Sequence, residues 1–314
     1  MQHPSQTELT HSIKESAKAI GFSDCGMAKV ELLSEDLRAL QQHTQQGFHA
    51  DMDYLCTEQE RRCNPKLINP AIQSVIVVTL PYYPEVVQNP ASLYRISKYA
   101  YSADYHFVMK DLLAKLQEAI KQMAEPEILL AYCDTGPVLE KAWARKAGLG
   151  SIGKNTLLLT KQGSFHFIGV VLTDLLVDYD TETTTDVCKQ CSKCIEACPT
   201  GALLSARTLD ANKCISYQTV ENKHGLPTTL NGKFENYIFG CDICQDICPI
   251  NKKKLIANQM LFKPNHAALD LNAHDWEELT QETFTKTFAK TAIKRRKLLG
   301  IQKNIAFVKP IIPK

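Results

Sequence analysis

The feature that most constrains this chain is the spacing of eight cysteines between Cys188 and Cys248. The first group reads CKQCSKCIEACP from Cys188 to Pro199, a lone Cys214 follows, and the last reads CDICQDICP from Cys241 to Pro249. The first group is a C-x2-C-x2-C-x3-C-P run, in which three cysteines hold one [4Fe–4S] cluster and the fourth crosses to a second. The last group is the same run with Ile238 where its first cysteine belongs, and Cys214 is the replacement. Two complete ligand sets follow. Cys188, Cys191, Cys194 and Cys248 serve one cluster; Cys198, Cys214, Cys241 and Cys244 serve the other.

Disulfides and structural zinc account for these cysteines less well. A disulfide framework belongs to small chains in oxidising compartments. The N-terminus MQHPSQTELT has no basic-then-apolar signal pattern, so a cytoplasmic protein with reduced thiols is expected. Two structural zinc sites could use eight cysteines, but the proline directly after each run favours iron–sulfur ligation. Cys25, Cys56, Cys63 and Cys133 stand at no ligand spacing and are expected as buried or half-buried structural thiols.

At 314 residues the chain has room for one sizeable core and a smaller module. No apolar run is long enough to span a bilayer, so no membrane contact is expected. A formal net charge of +2 excludes a chain-wide polyanion binder. Thr283 to Lys314, however, holds nine Lys or Arg and no acid, so an anionic partner is expected there.

Hydrophobic periodicity predicts helices over Glu8–Ile20, Ser34–Gln46 (capped by Ser34) and Asp104–Ala124. The last of these puts Phe107, Leu112, Leu113, Leu116 and Ile120 on its apolar side. Buried strands are expected at Ser74–Leu80 and Glu127–Cys133, and a long strand at His166–Val177. Thr135-Gly136-Pro137 is expected to open a helix running through Ala147. GLGSIGKN, Gly148 to Asn155, is formally G-x-G-x-x-G, yet it follows a helix and leads into a strand, the wrong context for a dinucleotide site. Asp178–Asp186 is polar and Thr-rich, a candidate linker. A basic helix is expected over Ala292–Val308. DYHFVM, Asp104 to Met109, approaches the D-x-H-x-x-G pattern of cobalamin ligation but has Met109 for the glycine. Asp104 as helix cap, with His106 in the first turn, is the favoured expectation.

Taken together, DYH (Asp104–His106), DTGPVLE (Asp134–Glu140), GLGSIGKN and the interleaved cysteine set with Cys214-Ile215-Ser216-Tyr217 resemble epoxyqueuosine reductases. The resemblance covers about Tyr94 to Pro249. It implies an α+β architecture: a nitroreductase-like α/β cobalamin-binding and catalytic domain over residues 1–180, then a ferredoxin-like two-cluster domain over 181–255. A basic helical segment over 256–314 would be a truncated HEAT-like end. It implies kinship with reductive dehalogenases and two cofactor types, cobalamin and [4Fe–4S] clusters. The implied reaction is reduction of epoxyqueuosine to queuosine in a tRNA anticodon loop.

On that resemblance Asp134 is the expected catalytic acid, able to hold its proton only if apolar walls such as Val138 raise its pKa from ~3.9. Ser151, Lys154, Asn155, Ser216 and Asp242 are expected cobalamin contacts, together with Asp134. Lys294, Arg295, Arg296 and Lys297 are expected phosphate contacts. Tyr82, Tyr83, Tyr101 and Tyr105 are candidates for stacking on a splayed base. The expected partners are the epoxyqueuosine-bearing tRNA and an unidentified electron donor, with the chain acting as a monomer. Two rivals remain open: a cobalamin-dependent, dehalogenase-like reductase of a small molecule, and a plain two-cluster electron carrier.

Overall fold

A computed structural model of the chain describes residues 4–308, so the last six residues of the C-terminal segment lie outside it. Ser5 opens α1 (Gln6–Ile20) through a capping box with Glu8, and Gly21 ends it at φ 118°. Both are the residue types such ends favour. β1 (Asp24–Lys29) leads to α2 (Ser34–Gln45). Ser34 is the first residue of that helix rather than its cap; Leu33 holds the cap position and makes no side-chain bond. After the short α3 (Gln59–Cys63), SVIVVTL becomes β2 (Ser74–Pro81), buried at every residue. β3 (Arg95–Ile96) precedes α4 (Tyr105–Met123).

Asp104 caps α4, accepting the His106 amide at 3.0 Å. The buried stripe of α4 runs Met109, Leu112, Leu113, Leu116, Ile120. Phe107 is 68% exposed and falls outside it, because Met109 takes the inward position of the first turns. β4 (Leu129–Tyr132) is an edge strand and only half-buried, not the fully buried strand expected. α5 (Glu140–Lys146) begins three residues after Pro137, so Thr135-Gly136-Pro137 forms a bend before the helix instead of its first turn. β5 (Ser151–Ile152) and β6 (Leu158–Leu159) pair as a hairpin, and β7 (His166–Thr173) completes this half.

β1, β2, β7 and β4 form one antiparallel sheet in that spatial order. One face packs Ile76, Val78 and Val171 against Leu9 and Ile13 of α1 and Leu113 and Leu116 of α4. The other face packs Val77 and Val170 against Trp143 of α5. Burial on both faces explains the unbroken apolar run of β2. Asp178–Asp186 has no regular structure, but it is pinned. Asp180 takes Lys14 at 2.6 Å and the Met27 amide at 2.8 Å, and Glu182 pairs with Arg145 and Lys146.

The cysteine-rich half carries α6 (Lys193–Glu196), the β8 (Leu203–Ser205) and β9 (Thr208–Leu209) hairpin, α7 (Ile215–Val220), β10 (Tyr237–Phe239) and α8 (Ile243–Asp246). α9 (His266–Leu269), α10 (Ala273–Glu277), α11 (Gln281–Phe288) and α12 (Lys297–Val308) follow. The expected basic helix is broken: Ala292–Arg296 is a 3-10 turn and Lys297 sits at φ 59°.

β10 pairs in parallel with β3. Around that pair, Tyr94, Ile96 and Tyr101 share a core with Ile238, Phe239, Trp276, Phe288 and Ile301. This core crosses both sequence boundaries expected near 180 and 255. It also accounts for Ile238, which is fully buried there and unavailable as a ligand position. The fold is mixed α and β, and among the described residues no helix is long and apolar enough to cross a membrane.

Candidate redox site

The eight cysteines lie close together. Cys194 lies within electrostatic reach of Cys188 and Cys248, and Cys248 within reach of Cys188 and Cys191. Cys214 and Cys241 both feel Cys198, and Cys244 feels Cys241, Cys214 and also Cys194. Burial pushes the Cys241, Cys244 and Cys214 thiols up, so these groups become thiolates only with a cation to bind them. All twelve cysteines are free thiols. Among the described residues no three His, Cys, Asp or Glu side chains close on a single ion. A four-iron cubane takes one thiolate per iron, so its ligands stand further apart than those of a lone ion. Cys214 is the cap residue of α7, and the amides of Ser216 and Tyr217 point at its sulfur. Cys56, expected to be buried or half-buried, is exposed, with its sulfur 3.2 Å from His49 Nε2.

GLGSIGKN is the seat on which both cysteine loops rest. Gly148 needs its φ of 77°, and a Cβ on Gly150 would strike the Leu159 carbonyl across the β5–β6 hairpin. The following turn aims outward. The Lys154 amide donates to Cys188 Sγ at 3.5 Å, its ammonium to the Lys189 carbonyl at 2.8 Å, and Asn155 Nδ2 to the Cys244 carbonyl at 3.4 Å. Lys154 and Asn155 are therefore engaged with the cysteine loops.

Asp242 is likewise engaged within the protein. It is fully enclosed, and its carboxylate takes the Ser97 hydroxyl, the Lys98 amide at 2.8 Å and the Lys98 ammonium at 3.5 Å. A second buried network ties the same loop to the sheet. Asn251 accepts the Ser164 amide at 2.7 Å, and Ser164 Oγ donates to Gln245 at 3.0 Å. Gln245 Nε2 in turn donates to the Tyr82 hydroxyl at 3.1 Å.

At the end of β4 the chain enters a left-handed conformation at Asp134, φ 63°, a strained position for a non-glycine residue. Its amide donates to Glu140 Oε1 at 2.5 Å. Its carboxylate receives the Tyr105 hydroxyl at 2.6 Å and stands 3.7 Å from His106 Nε2. His106 Nδ1 is 2.7 Å from Asp104 Oδ1. Tyr105 is locked between rings, stacked on Phe167 at 4.2 Å and on His106 at 4.1 Å.

These contacts set the charges. His106, and after it the Tyr105 hydroxyl, hold Asp134 below the usual carboxylate range despite burial. The neighbouring Asp104 and Asp134 raise His106 to about 9. Burial pushes Glu140 up to about 8. The expected raising of Asp134 by apolar walls is thus reversed. Val138 packs into the core beside Trp143, and what Asp134 meets is an imidazolium. The protons sit on His106 and Glu140, roles that the sequence did not reveal.

Asp134 keeps 60% of its side-chain surface open to water although protein flanks it on most sides, as does the exposed Lys141. Side chains in that situation line a cleft. Ser151 is buried, and its hydroxyl has no hydrogen-bond partner among the described residues. Ser216 is half-buried in the first turn of α7, beside Cys214.

Tyr99 lies within electrostatic reach of both Asp134 and Asp242. The stacking tyrosines are not available: Tyr82 is bound to Gln245 and stacked on Phe167, Tyr83 packs on Phe165, and Tyr101 is buried. The exposed ring near Asp134 is Tyr54, which also lies within reach of Arg295 and Glu221. Of the basic quartet, Lys294 and Lys297 are exposed, Arg295 pairs with Glu221 at 2.7 Å, and half-buried Arg296 donates to the Asn222 carbonyl. Arg296 thus serves a structural bond that the other three do not make.

A cleft with a charged Asp–His–Tyr wall, docked on two four-cysteine sets, defines an iron–sulfur oxidoreductase. Residues 187–251 match a profile described as a 4Fe-4S double cluster binding domain, and residues 62–135 one described as Epoxyqueuosine reductase QueG, DUF1730. An epoxyqueuosine reductase of Cellulophaga algicola is 43% identical over 96% of this chain and 99% of its own length. That of Escherichia coli is 34% identical over 95% of this chain and 80% of its own. An epoxyqueuosine reductase crystallised with an epoxyqueuosine-modified tRNA stem loop superposes with TM-score 0.86 at 27% identity, over 94% of this chain and 79% of that one. The Bacillus subtilis enzyme, seen with its catalytic loop swung out of the active site, superposes with TM-score 0.84 at 27% identity, over 94% and 79%. The chain belongs to the epoxyqueuosine reductase family.

Proposed function

We propose that the chain reduces epoxyqueuosine to queuosine in a tRNA anticodon loop, with Asp134 at the reacting centre. The observation that carries this reading is the ionised Asp134 carboxylate at the cleft wall, hydrogen-bonded by Tyr105 and paired with protonated His106. Reduction of the epoxide to an alkene takes two electrons and two protons and releases the oxygen as water. His106 and Glu140 both hold protons at neutral pH and flank Asp134. Asp134 passes a proton drawn from His106 to the departing oxygen, rather than storing one itself. Tyr105 holds the carboxylate in line.

Cobalamin, when bound, supplies the reducing chemistry at the epoxide carbon, and Ser151 and Ser216 are the chain's polar contacts to it. Cys188, Cys191, Cys194 and Cys248 hold one [4Fe–4S] cluster, and Cys198, Cys214, Cys241 and Cys244 hold the second. The working division is a nitroreductase-like catalytic part over 1–180, a ferredoxin-like part over 181–255 and a helical end over 256–314. Lys294, Arg295 and Lys297 meet the RNA backbone. The protein acts as a monomer in the cytoplasm, where thiolate-bound clusters persist.

The test is turnover of an epoxyqueuosine-bearing RNA stem loop by anaerobically purified protein. Asp134→Asn should keep its iron, sulfide and cobalamin while turnover drops by ~10²–10⁴. Full activity in that variant sinks the role of Asp134.

A further inference from the structure

The lysines around the first cysteine set have no task in the chemistry above. Lys189 and Lys193 stand exposed between its ligands, and Lys252 and Lys253 stand exposed just after Cys248. Lys161 is exposed on the turn whose Gly163 packs against Asn251 and Lys254. None of the five forms an ion pair among the described residues. Of the acids nearby, Asp186 pairs with Arg207 and Asp246 with Lys98, while Glu196 accepts the Ser192 hydroxyl and keeps its charge. Three separate loops thus bring a net positive charge around one ligand set, five lysines against one unpaired carboxylate.

Val187 and Ile247, each directly beside a ligand cysteine, are 36% and 44% exposed. Exposed apolar side chains among charged ones suit a protein-docking patch. Protein closes more fully around Cys214, Cys241 and Cys244 than around Cys194 and Cys248, with Cys198 between them. At Asp134 the nearby fixed cations are Arg295 and Lys141, neither of them one of these lysines. An RNA that lays its base beside Asp134 is therefore met by a different part of the surface.

We propose that this lysine collar is the docking surface for an acidic one-electron carrier protein, which delivers electrons to the cluster held by Cys188, Cys191, Cys194 and Cys248. The inference rests on the two-cluster reading above. Each encounter oxidises the carrier by one electron and reduces that cluster by one. Two encounters supply the pair that the epoxide consumes with its two protons. Charge complementarity of this kind acts mainly on encounter rate and is weakened by salt.

The test uses the full holoenzyme, flavodoxin as a small acidic carrier, and methyl viologen as a small cationic reductant that needs no docking. The variant combines Lys189→Glu, Lys193→Glu, Lys252→Glu and Lys253→Glu. By calorimetry at low salt, its dissociation constant for flavodoxin should rise at least ~10-fold. Bleaching of the cluster absorbance by reduced flavodoxin should slow by a similar factor, while bleaching by reduced viologen, a cation that the new carboxylates attract, does not slow and affinity for the RNA stem loop stays unchanged. An unaltered flavodoxin constant overturns the proposal, and so does an RNA affinity that falls while flavodoxin binding is kept. If neither reductant bleaches the unmodified protein, the two-cluster reading is at fault; the flavodoxin constant still decides the docking surface.

Discussion

His106 is shared between two aspartates, with Nδ1 2.7 Å from Asp104 Oδ1 and Nε2 3.7 Å from Asp134 Oδ2. Asp104 is there because it caps α4, and Asp134 because β4 ends beside that first turn. One imidazolium therefore links a capping residue to the cleft. Its pKa stands at about 9, above the ordinary 6.5. The pairs contribute stability in full below ~6.5 and lose it as pH rises through about 9. Turnover should fall over the same alkaline range, because the proton that Asp134 passes on is then missing. His106→Gln should remove that alkaline limb and lower kcat ~10–100-fold at neutral pH. A wild-type pH–rate profile that stays flat beyond about 9 rejects the assignment.

Tyr105→Phe isolates one hydrogen bond. The ring should stay stacked on Phe167 and His106, so packing is kept and only the 2.6 Å bond to Asp134 is lost. A single such bond is worth ~1 kcal/mol net, so the melting temperature should move by only a few degrees. Turnover should drop ~10-fold with RNA affinity unchanged, because the carboxylate loses its orientation. A variant with wild-type kcat shows that His106 alone positions Asp134.

What could be read from the sequence was local. The cysteine sets are visible because ligand spacing is written in adjacent residues, and the substitution of Cys214 for position 238 follows from counting thiols. The Asp104 cap is visible for the same reason, since a cap bonds an amide two residues on. The charge state of Asp134 was not visible, because His106 and Tyr105 reach it only after α4 packs beside β4. Phe107 misled because periodicity does not say which of two neighbouring registers faces the sheet. Lys154, Asn155 and Asp242 have the chemistry of ligand contacts, yet the fold spends them on seating the cysteine loops. Arg296 belongs to a basic run, and only the folded chain reveals the Asn222 carbonyl it serves.

Asn304 fastens α12 to the cluster-bearing half. It is fully buried, and its Nδ2 donates to the Thr219 and Ile238 carbonyls, both at 2.9 Å. These carbonyls lie on α7, which begins after Cys214, and on β10, which ends shortly before Cys241. Asn304→Leu fills the space but strands both carbonyls, at a cost of about 1–3 kcal/mol. Urea unfolding should report that loss. Iron release from the second set on mild heating should also quicken relative to the first. Equal release from both sets would show that the fastening is general.

The basic quartet separates RNA binding from folding. Lys294 and Lys297 are exposed and free of partners among the described residues, whereas Arg296 is half-buried and also approaches Asn304 Oδ1 at 3.5 Å. Lys294→Gln and Lys297→Gln should weaken binding of the epoxyqueuosine stem loop and flatten its dependence on salt. Each phosphate contact removed lowers the slope of log K against log salt by ~0.7, the value for single strands. Thermal stability should stay within the range of ordinary surface substitutions, ~0.5 kcal/mol. Arg296→Gln should do the reverse, lowering stability through the unmade bond to Asn222 and leaving the salt slope nearly unchanged. The measurement is a titration of labelled stem loop at several salt concentrations, beside a melting curve for each variant. A salt slope that falls for Arg296→Gln but not for the lysines would place the phosphate contact on the buried guanidinium and overturn this division.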